Sequence, residues 1–503
     1  MKVTKSKFSS EVKRYTEILE RYLTEYTGYQ IKLENQVNEK DGTVDVDVDV
    51  YSPIKYPYME KFILNVLEQT VTFLDKSISL NGELDWELFE KVKSKLTSSF
   101  IFGQTEDGEK EYKRIQFLKD MVNIGHRTYE GFNTRIGVIY APVQNINDIA
   151  DKYDFKVIEF DNEMPILELF EGEKPLLRLV EGNVLNLIVN SSFKVYGFAI
   201  TTKDNSSLSE TIIQDFENAR LLRSIQATKE DMASTYDYLI ENEVYKEVDE
   251  ELQVGLKYML ALMKETVEGA STEFEGTSPN IVYFKLSKAE LNVYNAEDFI
   301  VSFSKGEWKL KNYHILQFVL MRYMLHGSKL YLLVEESLDK SKLLHNIVSG
   351  TNILINTLKK LSSTNTSSIL MILPIKPEEI AYSTAITIEE AMESLSKAPL
   401  KKRNTEYLYL KIVQGNGVHL SVTDVGASFL SNLCSIDGAL VLDDMLNILS
   451  YGEIIDTPSN PSEVFGTGTN ACKIASENGS LAIKVSEDGD IKVYLNGEMI
   501  LTI

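Results

Sequence analysis

The chain has 503 residues, 43% of them hydrophobic and 25% charged, values that support buried cores in two or three domains and exclude general disorder. With 52 Lys and Arg against 75 Asp and Glu, the formal net charge is −23, which repels phosphate polymers and anionic lipid and argues against a nucleic-acid polymer or a membrane as partner. The two cysteines, Cys434 and Cys472, lie in no CxxC or Cys/His cluster, and no apolar run reaches the roughly 18 residues of a membrane span. The expectation is a cytoplasmic protein without a zinc site or a disulfide framework.

Apolar residues at three- and four-residue steps (Phe8, Val12, Tyr15, Leu19, Tyr22, Tyr26) predict a helix over 8–26. The strict alternation of TVDVDVDVY predicts a strand over 43–51 with an acidic face. Its aspartates open like a calcium loop, but Val50 stands where that loop needs Gly and Tyr56 where it needs Glu, so no calcium site is expected. Helical periods follow at 58–75 and 85–98, and 99–117 reads as two strands around a polar turn at 105–109. Strands are expected at 135–141, 155–160, 184–190 and 195–201, then helices at about 209–223, 229–241 and 244–267. A Gly-, Ser- and Thr-rich stretch, Glu268–Pro279, reads as a linker.

Beyond it, strands at 281–286 and 298–304 precede a helix at 312–326, a strand at 329–334, a helix at 337–361 and a strand at 368–373. A helix at 387–397 and a basic loop (Lys401, Lys402, Arg403) lead to strands at 406–413 and 418–423, joined across Gly415-Asn416-Gly417 by a hairpin turn. A helix at 425–434, strands at 438–443 and 446–450, a helix at 469–478 and strands at 481–486, 491–495 and 499–502 complete the chain. The fold class is α+β or α/β, with a C-terminal mixed β-sheet flanked by helices and N-terminal α+β domains before it. The domains expected are 1–105, 106–279 and 280–503.

The five histidines, at 126, 314, 326, 345 and 419, have no metal-ligand spacing, and no Walker or Rossmann glycine pattern is present. One region carries candidate chemistry. Asp437-Gly438-Ala439 opens an apolar strand, and Gly466-Thr467-Gly468-Thr469-Asn470 opens a helix about 25 residues later. Glycine-rich backbone at a helix N-terminus offers N–H groups and partial positive charge to an anion, and Asp437 at a strand mouth suits a divalent ion or a ribose hydroxyl. The same residues also fit a plain Asp-Gly hairpin turn and a helix capped by Thr469.

The order of these pieces resembles the catalytic domain of the diadenylate cyclases (DisA-type, DAC fold). Asp437-Gly438-Ala439 stands at that family's Asp-Gly-Ala, Gly466-Thr467 and Ala471 flank its second motif, and Ser476-Glu477, Ser486-Glu487 and Asn496-Gly497 continue the match. The resemblance covers about 405–503. It implies nucleotide binding at Asp437, Gly438, Ala439, Gly466, Thr467, Gly468, Thr469 and Asn470. The departure lies at Gly468-Thr469-Asn470, which replaces the family's phosphate-gripping Arg-His-Arg. At about 1.5–3 kcal/mol per charge-assisted bond, losing two arginines weakens triphosphate binding by about two to four decades. Such degenerate domains resemble the DACNV-type nucleotide sensors of prokaryotic signalling and conflict systems, to which SFIFGQTEDGEKEYKRIQF (99–117) and VSFSKGEWKL (301–310) are also broadly similar.

The expected function is therefore a non-catalytic sensor of a nucleotide or cyclic dinucleotide, with no cofactor, and with Mg or Mn only if turnover occurs. A protein effector working through residues 1–290 and a homo-oligomer are compatible with this. The alternatives are a structural or scaffold protein with a vestigial pocket, and an active diadenylate cyclase. Trp308 is expected to anchor packing in the C-terminal domain.

Overall fold

A computed structural model describes residues 2–6, 12–38, 43–51, 86–103, 105–129, 132–172, 175–201, 207–241, 281–287, 290–295, 300–327, 340–374, 387–401, 412–415, 418–457 and 467–503, with single positions at 261 and 264. It is a mixed α/β structure in two compact units. One comprises Met1–Val50, Met59–Arg220 and Phe274–Asn312, and the other Tyr51–Tyr58, Leu221–Glu273 and Tyr313–Ile503.

The first unit opens with β1 (Lys2–Ser6), α1 (Val12–Thr27), β2 (Gln30–Asn38) and β3 (Thr43–Tyr51), whose strands form a sheet in the order β1-β3-β2. Helices α2 (Trp86–Phe102) and α3 (Gly108–Gly125) follow, then a short hairpin of β4 (Thr128–Tyr129) and β5 (Phe132–Asn133). Next come β6 (Arg135–Tyr140), α4 (Ile146–Tyr153), β7 (Phe155–Met164), α5 (Ile166–Gly172), α6 (Leu176–Leu179), β8 (Leu185–Val189), β9 (Val195–Thr201) and the long α7 (Leu208–Glu241), whose residues after Arg220 belong to the second unit. A meander of β10 (Val282–Ser287), β11 (Glu290–Tyr294), β12 (Ile300–Ser304) and β13 (Glu307–Lys311) completes an eight-stranded sheet in the order β13-β12-β11-β10-β6-β8-β9-β7. Edge-on aromatic contacts of Phe102 with Tyr140 at 5.1 Å and of Phe117 with Phe284 at 5.3 Å bind α2 and α3 to one face of it.

Two sequence expectations are corrected here. The segment 99–117 is not a strand pair but the end of α2 and the start of α3. Asp107 accepts the N–H groups of Glu109 and Lys110 as an N-cap, and Arg114 donates to the carbonyls of Phe102 and Gly103 at 3.1 and 2.7 Å, satisfying the end of α2. The boundary expected at 280 runs through a sheet, because β10 pairs with β6 along its whole length. Trp308 accordingly packs edge-on against Phe303 in the β12–β13 hairpin of this first unit, at 5.1 Å, rather than in the C-terminal sheet. The strand of alternating Val and Asp is present as β3. The helices expected at 58–75 and 244–267, the linker 268–279 and the strands at 329–334 and 406–411 lie outside the described residues, apart from positions 261 and 264.

The second unit is built on α8 (Tyr313–Gly327), α9 (Lys340–Ser363), β14 (Ser368–Leu373), α10 (Ile388–Lys397), the short hairpin β15 (Gln414–Gly415) and β16 (Val418–His419), and α11 (Val422–Cys434). It continues through β17 (Ala439–Asp443), β18 (Ile448–Glu453), α12 (Thr467–Ala475), β19 (Leu481–Val485), β20 (Ile491–Leu495) and β21 (Glu498–Thr502). Six strands pair in the order β18-β17-β14-β19-β20-β21, with only β14 and β17 parallel. Strands buried on both faces read as continuous apolar runs, as in Leu440, Val441 and Leu442. One face carries α10 and α12, joined to the sheet through Met371, Leu395, Val441, Cys472 and Ala482. Thr387 with Glu390 and Ser421 with Asp424 form capping boxes that start α10 and α11.

Candidate functional site

Alternation along the strands sets which residues share the face under α12. In the sheet register Lys484 stands opposite Ile369, and Ile369 opposite Ala439. Directly paired residues point to the same face, so these three form one row across β19, β14 and β17. Ile369 packs against the same core as Ala439 and α12. Two inter-strand spacings separate the Cα atoms of Ala439 and Lys484, about 10 Å.

Helix α12 runs against β19, and its first turn lies over this row. Lys484 Nζ donates to Thr469 Oγ1 at 3.1 Å. A Cβ built on Gly468 would come within 3.2 Å of Lys484 Cε. The bend carrying Asp437 and Gly438 leads into Ala439 at the same end of the sheet. Ala439, which follows the Asp437 bend, and Lys484, which reaches the first turn of α12, thus stand in one row at one end of the sheet. Asp437 is exposed and Gly438 half-buried, while Gly468, Thr469 and Asn470 are half-buried and Thr467 exposed. Gly466 lies outside the described residues.

Lys484 escaped the sequence reading, which noted the basic loop of Lys401, Lys402 and Arg403 but no cation in the strand at 481–486. Its signal was the pattern LAIKV. Leu481, Ile483 and Val485 take one face, leaving Ala482 and Lys484 on the other, beside a helix start rich in small residues. Lys401 is exposed, and its backbone N–H is held by the carbonyl of Ile454 at 2.8 Å; Lys402 and Arg403 lie outside the described residues. A lysine offers a single point charge and cannot form the bidentate fork of arginine.

The surrounding groups are set by burial. It pushes the Cys472 thiol up to about 12 against the opposing charge of Lys484, so this cysteine is a neutral packing group. The Tyr494 hydroxyl is also raised by burial and by the neighbouring Cys472, with a hydrogen bond to Thr469 acting the other way. Thr469 is thus shared by Lys484 and Tyr494. It is the third residue of α12 rather than its cap.

Several matches to the family pattern hold the fold. Gly438 sits at φ +108°, and a Cβ there would lie 2.5 Å from the backbone carbon of Gly452 on β18. This bend joins α11 to β17; it is not the Asp-Gly hairpin that the sequence equally allowed. The buried Ser476 hydroxyl accepts the N–H of Gly497 at 3.0 Å, tying the end of α12 to the tight β20–β21 turn where Asn496 is also left-handed.

At the other end of β17, burial pushes the Asp443 carboxyl up to about 7, against bonds from Asn447 and the Met445 N–H. Among the described residues no group of three or more His, Cys, Asp or Glu side chains is placed to hold a metal ion, and no helix is long and apolar enough to cross a membrane.

No family model matches the chain, and no curated protein matches it. Among solved structures, a double mutant of DacA from Staphylococcus aureus is similar at 15% identity and a TM-score of 0.19, over 33% of this chain and 89% of that one. A hypothetical membrane-spanning protein from Bacillus cereus is similar at 13% identity and a TM-score of 0.19, over 38% of this chain and 94% of that one.

Proposed function

We propose that the second unit binds a nucleotide or cyclic dinucleotide between the Asp437 bend and the start of α12, without turning it over, and so serves as a sensor. The observation that supports this reading is the Ala439–Ile369–Lys484 row, from which Lys484 reaches Thr469 in the first turn of α12. Lys484 and the N–H groups of the helix start would meet phosphate, and Asp437 would accept a ribose hydroxyl. One lysine in place of two arginines suits a monophosphate or a cyclic phosphodiester better than a triphosphate. Residues 1–290 would pass occupancy to a protein effector.

Titration calorimetry with ATP, AMP and cyclic di-AMP tests this. At least one ligand is expected to bind, and Lys484→Met to weaken it ~10- to 100-fold, the worth of one charge-assisted bond. Absence of heat with all three, or wild-type affinity in Lys484→Met, overturns the reading. A second reading, a structural protein with a vestigial pocket, is favoured by the Thr469 hydroxyl already engaged by Lys484 and Tyr494.

A further inference from the structure

Residues 418–422 form a strap beside the β17–β18 turn. The hairpin of β15 and β16 pairs Gly415 with Val418, and Val418 bridges Thr387 at the start of α10. The strap then runs against the turn. Ile448 N–H donates to Leu420 O, and Val422 N–H to Leu446 O, both at 2.8 Å, and Ser421 bridges Asn447. His419 is the strap's buried anchor, 3% exposed. Its Nδ1 is 2.6 Å from Ile448 O. A carbonyl only accepts, so Nδ1 carries the proton and the neutral ring leaves Nε2 as a bare acceptor. Nε2 is buried and has no hydrogen-bond partner among the described residues.

We propose that this strap is an acid-released latch, in which protonation of His419 at Nε2 frees residues 418–422 from residues 446–448 while the sheet stays folded. A proton on Nε2 would create a buried cation whose new N–H has no acceptor, a state relieved by exposing the ring to water. No carboxylate among the described residues offsets this by raising the proton affinity of His419. On α10, which packs against β16, Glu390 is taken by Thr387 and Glu393 by Lys397, while Glu389 is exposed. On α11, Asp424 accepts the Ser421 N–H. On the turn, Asp443 is held by Met445 and Asn447, and Asp444 is buried beside it. On β18, Glu453 accepts from Ser450.

Burial, opposed by the Ile448 carbonyl, lowers the affinity of His419 for its proton. The sign follows. The open strap binds the proton better than the closed one, so closure is complete above the ordinary histidine value of about 6.5 and is lost as pH falls below it. Asp443 acts in the opposite sense. Its carboxyl, pushed up to about 7 by burial, holds a proton more tightly folded than unfolded, so acidification favours the folded turn while it opens the strap.

Hydrogen exchange of the full chain at pH 7.5 and pH 5.0, corrected for the intrinsic rate, reads the latch directly. Amides of 418–422 are expected to lose protection about tenfold at the lower pH, while 481–495 in β19 and β20 keep theirs. In His419→Gln, which stays neutral, the strap's protection is expected to be equal at both values. Unchanged protection in the wild type, or an equal acid-induced loss in His419→Gln, overturns the proposal. If His419→Gln does not fold, the wild-type ring is titrated by NMR, where a midpoint at or above 6.5 overturns it equally.

Discussion

Gly438 and Asp437 are neighbours with separable roles. The left-handed backbone of Gly438 and its approach to Gly452 leave no room for a methyl group, so Gly438→Ala is expected to destabilise the protein by about 1–3 kcal/mol, read as a lower denaturant midpoint. The Asp437 side chain is exposed, and Asp437→Asn is expected to change that midpoint by less than about 0.5 kcal/mol while reducing nucleotide affinity. Equal destabilisation by both would mean that the Asp-Gly pair is wholly structural. Asp443 carries a pH prediction of its own. Its carboxyl is pushed up to about 7 by burial, against about 3.9 in the unfolded chain. The folded state holds that proton more tightly, so its stabilising effect is full below about 4 and disappears as pH rises through 7. Thermal melts from pH 4 to 7.5 should show the wild type losing stability relative to Asp443→Asn across that window. A constant difference between the two would contradict the assignment.

Among the elements, α3 shows most clearly why a local pattern misled. SFIFGQTEDGEKEYKRIQF has aromatic and β-branched residues on both sides of a polar turn, which matches a hairpin. Helix won because Asp107 caps one end and Arg114, buried under the Phe102 ring at 5.6 Å, satisfies the carbonyls of the other. The Arg114 contact spans 11 residues and crosses a turn, so no periodicity could reveal it. Asp107→Ala is therefore expected to cost about 1 kcal/mol and to lower far-UV helical dichroism on partial denaturation. No loss of stability would remove the cap from the explanation. By contrast β14, β9 and β20 were legible to the residue, because two-faced burial leaves an apolar run bounded by turn residues. The β12–β13 hairpin was missed as a pair. Its Lys305-Gly306 turn, left-handed at both residues, was the available signal.

For the whole molecule, the charge of −23 predicts that duplex DNA of arbitrary sequence does not bind even at low salt, where electrostatic attraction is least screened; an electrophoretic shift would contradict it. Gly468-Thr469-Asn470 offers no guanidinium to a triphosphate, which predicts no cyclic di-AMP when the protein is incubated with ATP and Mn²⁺, checked by chromatography of the products. What the sequence by itself determined was the alternation of helices and strands, the mixed α/β class, the acidity and the ordered residues Asp437 to Asn470 that suggest a phosphate ligand. These are local or additive properties, readable from spacing and composition. The tertiary structure decided that the strands at 282–311 complete the first sheet, that Gly438 and Ser476 are required by packing, and that Lys484 stands over the start of α12. Each of these depends on strand register between segments distant in the chain. Register is chosen by which faces bury together, and that is a property of the assembled sheet rather than of any segment within it.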